Sequence, residues 1–161
     1  MTERTVVHTD FSIERRYDAS PARVFAAFAD PVAKRRWSAC HDEGGLGEHI
    51  LDFREGGRET MRGAPAESGV FAMNATFAEI VPEQRIIYSY ELLRDDIRLS
   101  ISLATIEFHR DGAGTRLLFT EQAAFLDGHD RPDWREQGSR IGFDRLADYL
   151  AQEQEQEQAP A

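Results

Sequence analysis

At 161 residues the chain has the length of one domain, enough to bury a core without metal or disulfide support. Its 41% hydrophobic and 30% charged residues are ordinary for a globular protein, while a net charge of −10 repels phosphate backbones and anionic lipid, setting nucleic acid aside as a partner. The single cysteine, Cys40, excludes an internal disulfide; without an apolar leader in Met1 to Phe11 or a membrane-length apolar run, the chain reads as cytoplasmic, with no membrane insertion.

Phe11 to Tyr17 alternates apolar and polar residues and reads as a strand. Ser20 and Pro21 open a helix as N-cap and first helical residue, carrying Val24, Phe25 and Phe28 toward an end near Asp30 and Pro31. A second short helix, Val32 to Arg36, delivers Trp37, and Gly44 to Gly47 reads as a loop. Strands over Glu48 to Glu55 and Arg58 to Arg62 flank a hairpin turn at Gly56 and Gly57. Four longer strands follow as an antiparallel meander: Val70 to Val81, Arg85 to Leu93, Ile97 to Arg110 and Thr115 to Phe125. Within the third of these, Leu99, Ile101 and Leu103 lie on one parity and Ile106 and Phe108 on the other, which predicts a β-bulge near Ala104 and Thr105. The last helix is expected over Pro132 to Gln152, with Ser139, Phe143, Leu146 and Leu150 as its inward stripe and Arg135 at the stripe's edge. The polar repeat after Gln152 reads as a disordered tail, 153–161, behind a single domain, 1–152.

This order gives an α+β fold: a curved antiparallel sheet of six to seven strands around a long C-terminal helix, with two short helices after the first strand. An elongated cavity between sheet and helix is the expected consequence. Parity assigns to its lining Phe71, Met73 and Phe77 from one strand, Tyr88 and Tyr90 from the next, and Leu117 and Phe119 from the last. Phe25, Phe28, Trp37, Ser139 and Phe143 complete the set from the helices. Each of these also suits an ordinary core.

Glu121 is the residue that stands out. It shares a strand face with Leu117 and Phe119 and is carried inward with them, where a carboxylate needs a partner; Arg135 at the start of the helix is the candidate. The pair reads either as a pin between helix and sheet or as a polar anchor for a ligand, with Glu121 as the candidate acid or base. Cys40 and His41 are adjacent, lack an orienting third group, and read as a surface pair rather than a nucleophile and its base. The five histidines show no metal-ligand spacing, and the glycine-rich loop lacks a nucleotide-binding pattern, so neither metal nor cofactor is expected.

The segments SPARVFAAFADPVAKRRW (Ser20 to Trp37), LDFREGG (Leu51 to Gly57), IVPEQRIIYSY (Ile80 to Tyr90), GAGTRLLFTEQAAFLDG (Gly112 to Gly128) and DRLADYL (Asp144 to Leu150) together resemble the SRPBCC, or START/Bet v 1-like, superfamily. Within it the chain is similar to bacterial proteins related to the C-terminal domain of the heat-shock-protein-90 ATPase activator. The resemblance implies a helix-grip fold whose cavity takes a small hydrophobic or amphipathic ligand, aromatic or lipid-like. It also implies two alternatives: a polyketide-cyclase-like or hydrolase-like enzyme using Glu121, and an ATPase-activating co-chaperone. Trp37 matches a position bordering the cavity mouth, and Ser139 stands where many relatives carry Trp, which would widen the cavity. An exposed edge strand makes a homodimer the default assembly.

Overall fold

Alternation of apolar and polar side chains from Phe11 to Tyr17 marks the inner part of β1 (Val6–Tyr17), which starts five residues earlier than the sequence predicts because those residues also pair with the last strand. Ser20 then caps α1 (Pro21–Ala29), its hydroxyl accepting from the Arg23 amide at 3.3 Å, and α2 (Pro31–Ser38) follows after a single residue. The computed structural model describes residues 3–38 and 46–158. The Cys40 and His41 pair, with Gly44 and Gly45 of the expected loop, lies outside the described residues.

Leu46 and Gly47, expected in the loop, begin β2 (Leu46–Leu51). This strand stops short of its predicted end because the chain turns back early. The Asp52 amide donates to the Arg58 carbonyl at 2.9 Å, and the Gly57 amide to that of Arg54 at 2.8 Å. Gly57 is required there, since a Cβ would lie 2.1 Å from the Asp52 carbonyl oxygen. The remaining strands are β3 (Arg58–Gly63), β4 (Phe71–Val81), β5 (Arg85–Arg94), β6 (Ile97–Asp111) and β7 (Gly114–Leu126), before α3 (Pro132–Gln158).

All neighbours pair antiparallel in one open curved sheet, ordered β1-β7-β6-β5-β4-β3-β2. The predicted bulge near Ala104 and Thr105 does not form; both residues pair regularly with β5 and β7. The phase change lies earlier, where Leu92 faces Ser100 and Leu93 faces Arg98, leaving Leu99 as the extra residue. From there Ser100, Ser102, Ala104, Ile106 and Phe108 turn inward, while Ile101 and Leu103 stay 48% and 41% exposed.

The core lies between the inner sheet face and the helices. Phe119 stacks on Phe143 at 5.1 Å, Phe28 on Phe108 at 5.6 Å and Phe53 on Phe77 at 5.1 Å, with Val24, Leu117 and Leu146 fully buried among them. Tyr17 ties β1 to α3, donating to the Phe143 carbonyl at 3.0 Å. The last helix does not stop near Gln152, and residues 153–158, expected as disordered tail, are helical. Glu153 holds this end down, accepting from Arg23 at 2.9 Å and from Tyr149 at 2.9 Å.

Candidate functional site

Two groups of buried polar side chains face the inside of the sheet. The first gathers at the start of α3. Glu121, with no exposed surface, projects from β7 on the same parity as Leu117 and Phe119. Its carboxylate accepts from Tyr90 Oη at 2.8 Å to each oxygen, from Ser102 Oγ at 2.9 Å and from Arg135 Nη1 at 3.1 Å. Arg135 also donates to Tyr90 Oη at 3.1 Å, to Ser100 Oγ at 2.6 Å and to Asp130 Oδ2 at 3.2 Å, and its guanidinium lies 5.1 Å from the centre of the Phe125 ring. Burial, with the neighbouring Glu121 charge, pushes the Tyr90 pKa well up, so its hydroxyl stays a donor. The network closes on itself: four strand residues and two at the helix start satisfy one another.

The second group lies across the sheet, beneath α2. Glu59 on β3 is 2% exposed; its Oε1 accepts from Lys34 Nζ at 3.0 Å, and its Oε2 is 2.8 Å from His49 Nε2 on β2. Lys34 is held in place by aromatic faces, 5.6 Å from the ring centres of both Phe28 and Trp37. Burial alone would raise the Glu59 pKa, but the Lys34 ammonium and the His49 hydrogen bond outweigh it and hold the carboxyl below its ordinary value.

Between the two groups the inner face is apolar and incompletely covered. Met61, Met73 and Leu92 are half-buried in one cross-strand row, and Tyr88 is half-buried beside Tyr90, their ring centres 5.9 Å apart. Burial first, then the nearby Tyr90, Glu121 and Glu59, drive the Tyr88 pKa far up. Yet its hydroxyl has no hydrogen-bond partner among the described residues. No fully buried side-chain nitrogen or oxygen there lacks one, so the Tyr88 oxygen keeps accessible surface. The Tyr88 hydroxyl is thus an accessible polar group beside the apolar row of the inner face.

This geometry sits in a known structural frame. Residues 18–151 match the family model described as "Activator of Hsp90 ATPase homolog 1-like protein". The chain belongs to that family. An uncharacterized protein from Rhizobium leguminosarum shares 42% identity over 94% of this chain and 99% of its own, with a TM-score of 0.89. The Mll3558 protein from Rhizobium loti shares 43% identity over 90% of this chain and 99% of its own, with a TM-score of 0.83. Protein CV1439 from Chromobacterium violaceum shares 27% identity, covering 86% and 94%, with a TM-score of 0.73. No curated protein matches the chain. The family is of the SRPBCC type, and no helix among the described residues is long and apolar enough to cross a membrane.

Of the residues expected to line a cavity, Phe28, Phe77, Leu117, Phe119 and Phe143 are buried in the core, and Phe25 packs between Phe53 and Phe108. Met73, Tyr88, Phe71 and Ser139 are half-buried. Trp37 is buried, donating to the Ala27 carbonyl at 2.8 Å, and its edge borders a separate open cleft of about 460 Å³ between α2 and α3. That cleft is also lined by Arg36, Asp148, Tyr149 and Glu153, and Tyr149 like Trp37 packs against the core. Sequence reading pairs Glu121 with Arg135, which the structure brings to 3.1 Å, but it reads Tyr90 as cavity lining and does not find Ser100, Ser102 and Asp130, nor the Lys34, Glu59 and His49 group. The alternation of Glu59 with Met61 on β3 is the one local signal that pointed to the latter.

Proposed function

We propose that this chain is a binding protein that holds a small amphipathic or aromatic molecule against the inner face of β3–β5, under the helices. The observation that carries this reading is Tyr88: a half-buried hydroxyl beside the apolar Met61, Met73 and Leu92 row, accessible and without a hydrogen-bond partner among the described residues, offers a polar contact to a ligand. Methionines on the neighbouring strands supply an adaptable wall. The saturated surroundings of Glu121 favour the architectural role for that residue over acid–base turnover.

Native mass spectrometry of gently purified protein, followed by extraction, tests the reading. A co-purifying small molecule, lost or weakened in Tyr88→Phe, supports it. A clean apo mass, together with no rise in melting temperature from any lipid, polyketide or aromatic acid in a panel, removes it. The family description makes activation of a chaperone ATPase the second reading. An Hsp90 ATPase rate unchanged by added protein removes that one.

A further inference from the structure

In the Lys34, Glu59 and His49 group both carboxylate oxygens are engaged, but one ring nitrogen of the imidazole is left open. β2 is an edge strand, so its backbone is exposed, but its parity turns the His49 side chain inward until only 2% of it is accessible. Nε2 is engaged by Glu59 at 2.8 Å. Nδ1 has no partner among the described residues. Since no fully buried nitrogen or oxygen there lacks a partner, the small accessible area of the ring reaches Nδ1. A buried imidazole with one nitrogen fixed by a carboxylate and the other open is an oriented proton acceptor.

We propose that His49 Nδ1 accepts the proton of a weakly acidic ligand hydroxyl, a phenol, enol or carboxylic acid, and that Glu59 and Lys34 position the ring for it. Glu59 is a pure acceptor when ionised, so it accepts a hydrogen bond from Nε2–H and leaves the lone pair on Nδ1. The ligand O–H bond breaks, its electron pair stays on oxygen, and the proton forms the Nδ1–H bond. The resulting imidazolium lies between the ligand oxyanion and the Glu59 carboxylate. Lys34 already balances Glu59, so the site gains one positive charge as the ligand gains one negative charge. The charged groups that face the ring are Glu59 from β3 and, through it, Lys34 from α2; the Tyr88 hydroxyl on β5 feels the same carboxylate. The apolar row Met61, Met73 and Leu92 begins opposite His49 on the neighbouring strand and suits the ligand's aromatic or aliphatic body.

This inference rests on the binding reading, and its test separates the two. The probes are 4-nitrophenol and its more acidic dinitro analogues, whose phenolate absorbs in the visible where the phenol does not. With wild-type protein, the bound probe is expected to ionise about one pH unit or more below the free probe, a tenfold or greater preference for the phenolate. His49→Gln keeps a donor to Glu59 and should bind the probe without that shift; Glu59→Gln, which leaves the ring unoriented, should show a smaller one. An unshifted spectrum in the wild type, the same shift in His49→Gln, or no binding by any phenol overturns the inference. A co-purified ligand found by mass spectrometry would still sustain the binding reading. If His49→Gln fails to fold, nitrogen-15 NMR of the wild-type imidazole decides. A ring whose Nε2 carries the proton is expected, and a ring carrying its only proton on Nδ1 overturns the proposal.

Discussion

The two polar groups on the concave face are built from the same materials, a buried carboxylate between a cation and a hydrogen-bond donor, yet they are finished differently. Around Arg135 both terminal guanidinium nitrogens meet acceptors from β5, β6, β7 and the turn before α3, and both Glu121 oxygens are engaged. Around Glu59 an imidazole nitrogen has no partner among the described residues. A dense, multiply bonded ion pair marks a joint that fixes helix to sheet; an acceptor nitrogen left open in a buried place marks a position held ready for something else.

The sharpest way to break this comparison is Arg135→Ala. It strands Glu121 in the interior and should cost about 3–5 kcal/mol in urea unfolding, whereas Glu121→Leu combined with Arg135→Met should recover much of the loss. A cost below about 1 kcal/mol would show that the joint is ornamental. Next comes Tyr90→Phe, which removes a donor from the same carboxylate and should cost about 1–3 kcal/mol. Glu59 sharpens the contrast through pH. Its folded pKa is depressed, so its contribution is complete above about 4.5 and lost as pH falls through the lower folded value. Melting temperatures should therefore fall less steeply below that pH in Glu59→Gln than in the wild type. At the far end of α3, Arg23 and Glu153 are partly solvated, and Glu153→Gln should cost at most about 1 kcal/mol, read as faster amide exchange over the last helical turns. The smallest effect belongs to Tyr88→Phe. With no hydrogen-bond partner among the described residues to lose, stability should change by no more than about 0.5 kcal/mol, and a larger loss would mean that the hydroxyl is structural after all.

Much of the frame was readable because its signals are local. Ser20 and Pro21 start α1, and strict alternation carries Glu121 inward beside Leu117 and Phe119. The same rule misled on β6. Apolar Ile101 and Leu103 were expected inside, but the inner side there must serve the Arg135 guanidinium, so Ser100 and Ser102 take it and the apolar residues face out. Hydrophobic periodicity reports the interior only where the interior is apolar. Lys34, His49 and Glu59 come from one helix and two strands and meet only through tertiary packing. The tail misled for a related reason: its glutamates look solvated in sequence, yet Arg23 from α1 reaches across to hold Glu153.

The pairing of the outermost strand also sets a timetable. β1 is the first strand to be made, and its partner is the last: the Thr5 amide is bonded to Asp127, 122 positions downstream. At synthesis rates of about 5–20 residues per second, the early strand waits roughly 6–25 s before its partner has been translated. Until then its backbone donors and acceptors are open to any extended segment nearby. Closure of the sheet therefore waits for β7 and joins two distant parts of the domain in one step, and a circularly permuted chain placing β1 directly after β7 should fold faster than the natural order.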